Sequence, residues 1–302
     1  MAEQSVRAAQ TNLDELANQP WLDAVGTPLG QAVTALFDNA GPAGRSAKNA
    51  LHGVWLGHPL HPVFTDVPIG AWTTALALDV REAITGDQAA GRAADFAVGV
   101  GLVAAAGAAI TGLTDWSQTD GRARRMGLLH GLLNVSATAL IATSYALRRS
   151  GARTAGRACT LAGYGIATAA AYLGGNLVYR ERIGVTHAAV AEPEEFTPVL
   201  DSAALPDGSM RKATIEDGSY LIVRQHQRLH ALAHPCAHLG GPLSEGTLKD
   251  GSVVCPWHGS EFNLHDGSVL SGPAPHPQPC FRARERAERV EIRKDSSGRA
   301  GS

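Results

Sequence analysis

Two neighbouring stretches, 234-HPCAHLGGPLSEGTL-248 and 254-VCPWHGSEFNLHDGSVLSGPAP-275, decide how this chain is read. They pair Cys236-Ala237-His238 with Cys255-Pro256-Trp257-His258 across sixteen intervening residues. Two thiolates can hold one iron of a [2Fe–2S] cluster while two neutral imidazoles hold the other, and that exchange of ligands raises the potential above that of an all-cysteine cluster. A tetrahedral zinc site uses the same donors, but its paired ligands usually stand two to four residues apart. Cys236 and His238 have a single residue between them, a spacing that suits ligands on two different metals. The pattern points first to a centre that moves single electrons, with zinc as the second reading.

The same residues resemble the two ligand loops of Rieske ferredoxin-like domains, and Ser271-Gly272-Pro273-Ala274-Pro275 resembles their proline loop. The resemblance covers about residues 196–295. It implies that Cys236 and Cys255 bind one iron and His238 and His258 the other, with Gly240, Ser260 and Pro273 lining the cluster. Members of the cytochrome bc type carry one more cysteine in each ligand loop and close a disulfide beside the cluster. Gly241 and Trp257 stand at those positions here. Ser260 keeps a hydroxyl able to hydrogen-bond a bridging sulfide, whereas Phe262 replaces a tyrosine of those members. The resemblance therefore implies a low to intermediate potential within the range of roughly −150 to +300 mV.

At 302 residues the chain is long enough for two domains. A net charge of −2 gives no electrostatic case for nucleic acid. Of four cysteines, Cys159 and Cys280 remain as singles, so a disulfide framework is not expected. Four apolar stretches, 62–80, 96–113, 127–147 and 158–178, each approach the ~20 residues a helix needs to cross a bilayer. Their Gly, Ala, Ser and Thr content suits close helix packing in lipid. After residue 190 the Asp-Gly pairs at 207–208, 217–218, 250–251 and 266–267 alternate with short β-branched runs, the mark of antiparallel hairpins.

The expected fold is thus α + β in separate domains, an N-terminal transmembrane four-helix bundle followed by an all-β Rieske-type [2Fe–2S] domain of antiparallel sheets. The expected boundaries are 1–50 for an amphipathic interfacial segment, 51–187 for the transmembrane domain, 188–195 for a linker, 196–295 for the cluster domain and 296–302 for a disordered tail. Gly57-His58-Pro59-Leu60-His61-Pro62, with Asp66 to Trp72, resembles the opening motif of a family of small four-span bacterial membrane proteins of unknown function. That resemblance implies a bacterial cell membrane location and names no reaction.

An even number of spans puts both chain ends on one side. His58, His61, Asp115, His130, Asn134, Asn176 and Arg180 then lie at the membrane face that carries the cluster. Ionisable groups at membrane depth are costly and usually functional. Three uses stay open: His61 and His130 ligating a haem axially, a histidine with Asp115 or Asp66 binding and deprotonating a quinol, or histidines that hold the rim of the bundle together. Flanking arginines balance between the two faces, so the positive-inside rule is silent. The absence of an apolar secretory core or a twin-arginine pair at the start favours a cytoplasmic cluster domain.

Only 44 residues follow His258, too few for the mononuclear iron domain of a terminal Rieske oxygenase. The sequence predicts a membrane-anchored electron carrier with a redox protein as partner, and a membrane quinone as a further one. The alternative is a redox sensor or assembly protein whose cluster regulates the bundle.

Overall fold

The computed structural model describes residue 11 and residues 14–295. The expected tail 296–302 lies outside the described residues, as do most of the first thirteen. In chain order the helices are α1 (Pro20–Asn39), α2 (Gly41–His52), α3 (His61–Thr85), α4 (Gln88–Trp116), α5 (Gly121–Arg149) and α6 (Arg153–Tyr179). The strands are β1 (Thr197–Asp201), β2 (Ser209–Ile215), β3 (Gly218–Gln225), β4 (Arg228–Ala233), β5 (Thr247–Lys249), β6 (Ser252–Val254), β7 (Glu261–Asn263), β8 (Val269–Ser271), β9 (Cys280–Arg286) and β10 (Arg289–Lys294). Two compact units result. One joins the described residues up to Ala40 with Leu60–Glu181, and the other joins Gly41–Pro59 with the described residues from Arg182.

In the helical unit each apolar stretch lies within one helix. Gly86, at φ 71°, takes the left-handed conformation that ends α3, and Asp87 caps α4 by accepting the N–H groups of Ala89 at 2.9 Å and Ala90 at 3.3 Å. Helices α4 and α5 are long and apolar enough to cross a membrane. Helices α3 and α6 do not meet that measure, which the four-span expectation had extended to all of them.

The four long helices are one hairpin used twice. The buried positions of α3, Pro68, Trp72, Ala75 and Asp79, recur 69 residues later in α5 as Ala137, Ile141, Ser144 and Arg148. Five of the eight buried positions of α4, Ala94, Val98, Gly101, Ala108 and Thr111, recur 62 residues later in α6 as Gly156, Thr160, Gly163, Ala170 and Leu173. Contacts recur with them: Gly101 lies against Trp72, and Gly163 against Ile141. Where α3 meets α5, equivalent residues face one another. Trp72 shares a core with Ile141, and Asp79 binds Arg148. A pseudo-two-fold axis places each residue beside its own counterpart in this way.

The Arg148 side chain is 0 % exposed. It binds both oxygens of Asp79, reaches Asp95 at 3.0 Å, and donates to Thr160 at 3.0 Å. Arg153 and Arg157 hold Glu82 beside this network. A buried ion of this kind is tolerated only when its partners satisfy it.

The second unit has a six-stranded sheet in the order β1-β10-β9-β4-β3-β2 and a four-stranded sheet β5-β6-β7-β8. All pairs are antiparallel. Tyr220, Leu221, Ile222, Val223, Leu232, Phe262 and Ile292 form its core. Residues 41–59, expected with the N-terminal segment and the membrane domain, pack in this unit. The reason is polar: Asn49 accepts the Gly272 N–H at 2.9 Å, and His276 bonds the carbonyls of Gly57 at 3.1 Å and Gly184 at 2.9 Å.

Candidate metal centre

Two loops of matching construction carry the four sequence-predicted ligands. In the first, after β4, the Gly240 N–H donates to the Cys236 carbonyl at 2.8 Å. In the second, after β6, the Gly259 N–H donates to the Cys255 carbonyl at 3.2 Å, and the Cys255 N–H to the Ser260 carbonyl at 2.8 Å. Both turns close on a glycine in the left-handed region, Gly240 at φ 77° and Gly259 at φ 76°, where a side chain would be strained.

These loops bring the thiols together and the imidazoles together. Cys236 and Cys255 are buried and share a hydrogen bond. The His238 and His258 rings lie edge to face, with centroids 4.9 Å apart. The hydrogen bond between the thiols and their burial raise Cys236, while the bond from Cys236, joined by the N–H groups of Trp257 and His258, lowers Cys255. Burial holds His238 well below the usual histidine value, so its imidazole is neutral, the form that ligates a metal. His238 Nδ1 is buried without a hydrogen-bond partner among the described residues.

The donor set fits two metals held on opposite sides better than one ion. Among the described residues no three of His, Cys, Asp or Glu gather around a single ion position. Backbone N–H groups reach both sulfurs, the hydrogen bonds that tune a cluster's potential.

The third wall is the proline loop. Ser260 is fully buried, accepts the Ala274 N–H at 3.0 Å and hydrogen-bonds the Cys236 sulfur. Pro273, buried beside it, follows a cis peptide from Gly272. Two supports escaped the sequence reading. Gln278 is 0 % exposed and clamps the first ligand loop, donating to the Ala233 and Pro235 carbonyls at 2.7 Å each and accepting the Ala237 N–H at 2.9 Å. Its only signal was a lone amide between Pro277 and Pro279. The other is Asn49, 223 residues from its partner Gly272, a separation at which no motif operates.

A methyl group at Gly241 would stand 2.8 Å from the Cys255 sulfur and 3.2 Å from the Trp257 ring.

Residues 195–282 match the family model described as Rieske [2Fe-2S] domain, and residues 57–187 match predicted membrane protein (DUF2231). The chain joins a Rieske domain to a DUF2231 domain. The Rieske domain is similar to part of apoptosis-inducing factor 3 of Mus musculus, 38 % identical over 89 residues, which is 30 % of this chain and 15 % of that one. It is also similar to the cytochrome b6-f complex iron-sulfur subunit of Chlorobaculum thiosulfatiphilum, 30 % identical over 101 residues, or 33 % of this chain and 54 % of the relative. Among solved structures, the ferredoxin of carbazole 1,9a-dioxygenase from Nocardioides aromaticivorans IC177 aligns over 34 % of this chain and 100 % of its own, at 16 % identity and a TM-score of 0.32. The chain spans about 15 % of the length of the first curated relatives it matches.

The expected membrane-rim residues divide between the units. His58 lies in the Rieske unit, exposed, with Nδ1 3.0 Å from the Pro59 carbonyl. In the helical unit His61 and His130 come together, ring centroids 6.4 Å apart. Asp115 is half-buried on α4.

Proposed function

We propose that this chain is a membrane-anchored one-electron carrier in which Cys236 and Cys255 bind one iron of a [2Fe–2S] cluster and His238 and His258 bind the other. The observation that carries the reading is the sorting of the four side chains into a buried thiol pair and an adjacent imidazole pair. When bound, the cluster supplies reversible one-electron exchange at a potential raised by its imidazole ligands. The protein's part is to hold it: N–H groups and Ser260 steady the sulfurs, and Gln278 and Asn49 fix the loops. Trp257, 57 % exposed beside His258, offers an apolar landing point for a redox protein.

In this reading α3 to α6 all cross a bacterial inner membrane, with the cluster domain on the cytoplasmic side. The apolar length of α4 and α5 and the DUF2231 match support anchoring. A membrane quinol is the small-molecule electron source such anchoring admits. The similarity to the cytochrome b6-f complex iron-sulfur subunit supports the electron-carrying reading.

The test is purification of the full chain, with iron, sulfide and zinc analysis and electron-paramagnetic spectra before and after dithionite. Two irons and two sulfides per chain, with a reduced-state signal lost in Cys236→Ser, are expected. One zinc per chain from iron-replete cells would overturn the reading. Protease cleavage of the Rieske domain in inside-out vesicles tests its sidedness.

A further inference from the structure

We propose that His61 and His130 form a second metal centre, in which one transition metal is held between two imidazole Nε2 atoms on the pseudo-two-fold axis of the helical unit. The proposal rests on the helical unit alone and stands whether or not the Rieske reading does. Four observations converge on it.

First, the two histidines are equivalent. They stand 69 residues apart, the spacing that relates every buried position of α3 to its counterpart in α5. Their neighbours elsewhere on the axis have diverged, Trp72 to Ile141 and Asp79 to Arg148. At the two histidines the copies agree.

Second, each ring is held in the same way. His61 Nδ1 donates to the Ala108 carbonyl at 2.9 Å and His130 Nδ1 to the Ala170 carbonyl at 2.8 Å, and those two acceptors are themselves equivalent. A histidine that donates one ring N–H to a carbonyl has its tautomer fixed and presents the other nitrogen as a ligand, the usual arrangement behind a metal-bound imidazole. The Asn134 amide stands 3.1 Å from His130 Nε2, which marks that nitrogen as the one carrying the lone pair. Binding requires this amide to turn aside.

Third, each ring is seated against a glycine of the neighbouring helix. A methyl group at Gly112 would meet His61 Cε1 at 2.7 Å, and one at Gly174 would meet His130 Cε1 at 3.2 Å. The glycines too are equivalent, so the seat was duplicated with the ligand.

Fourth, the separation suits a shared metal. Two imidazoles on opposite sides of one metal, with bonds of about 2 Å, place their ring centres roughly 6 Å apart. The centroids here are 6.4 Å apart and the planes at 85°. His61 and His130 are each partly exposed. The shared chemistry is a metal that accepts two trans imidazoles, either the iron of a haem or a bare ion such as Cu(I).

The experiment uses the full chain, expressed with a haem precursor and with copper supplied in parallel cultures. Pyridine haemochrome spectra report haem, and elemental analysis reports copper. One haem or one copper per chain is expected, falling at least tenfold in His61→Asn and in His130→Asn. Asparagine can still donate to the Ala108 or Ala170 carbonyl, so the helix tie survives while Nε2 is lost. An unchanged melting temperature of the detergent-solubilised protein in both variants shows that the helical unit still folds. A protein loaded with neither metal, or one whose loading is unchanged in both variants, overturns the proposal and leaves the pair as a helix clasp.

Discussion

The side-chain oxygen of Asn49 accepts the N–H of Gly272 at 2.9 Å, tying α2 to the loop that walls the cluster site. His52 and Val54 pack against the same glycine, 3.3 and 3.4 Å from where its Cβ would stand. Leaving that partly buried N–H without an acceptor costs about 1–3 kcal/mol. Asn49→Leu should therefore lower the melting temperature of the cluster absorbance, whereas Asn49→Asp, which keeps an acceptor, should stay near the native value. Equal melting of all three proteins would mean that the contact is incidental.

Ser260 joins the Cys236 sulfur to the proline loop through one hydroxyl. A donor to sulfur stabilises the more negative, reduced cluster, so Ser260→Ala should lower the midpoint potential. A hydrogen bond whose strength differs by about 1 kcal/mol between the two redox states corresponds to roughly 40 mV for one electron. Redox titration followed by electron-paramagnetic resonance measures it, and Ser260→Thr, which keeps the hydroxyl, should restore most of the shift. A rise in potential in Ser260→Ala would contradict the assigned role.

The ligand loops were legible because their chemistry is local: ligands at fixed offsets, Gly240 and Gly259 at forced backbone angles, and turn pairs between short strands. Three of the four Asp-Gly pairs, 217–218, 250–251 and 266–267, fall at hairpin turns, whereas the β3–β4 and β9–β10 turns, at His226-Gln227 and Ala287-Glu288, carried no such signal. What sequence reading missed depends on long-range pairing. Asn49 and Gln278 act through single hydrogen bonds to distant backbone and belong to no motif. The hairpin duplication escaped for another reason: its record is the set of buried positions, while residue identity has largely drifted, as Pro68 to Ala137 and Val98 to Thr160 illustrate. Asp79, Asp95 and Arg148 lie on three different helices, so their pairing across the bundle leaves no local signal.

That pairing gives a sharper test of the pseudo-symmetry. Removing one partner of a buried ion pair strands the other charge and costs about 3–5 kcal/mol, so Arg148→Asp should sharply reduce the yield and melting temperature of the detergent-solubilised protein. Because Asp79 and Arg148 occupy equivalent positions, the exchanged pair Asp79→Arg with Arg148→Asp should recover much of that loss. Recovery will be incomplete, since Ser144 and Thr160, which now bind Arg148, correspond to Ala75 and Val98 in the other copy. A double variant no better than Arg148→Asp alone would show that the two positions are not interchangeable.

His230, half-buried at β4, bonds the Leu264 carbonyl through Nδ1 at 3.1 Å. Burial lowers its pKa from the ordinary 6.5, the positive neighbourhood of His265 and Arg228 lowers it further, and the Leu264 carbonyl opposes them only in part. The unfolded chain therefore takes up this proton at a higher pH than the folded one does. Stability rises with pH wherever the unfolded state binds more protons, so His230 contributes fully above about pH 6.5, and its contribution falls as the pH drops below that value and through the lowered folded one. His187 and His234 are lowered by burial in the same way, so the native protein carries several such terms and the variant isolates one. Urea melts of the cluster-loaded protein between pH 5.5 and 7.5 should show His230→Gln with a shallower loss of stability toward acid than the native chain. Parallel curves for the two proteins would mean that His230 titrates alike in the folded and unfolded states.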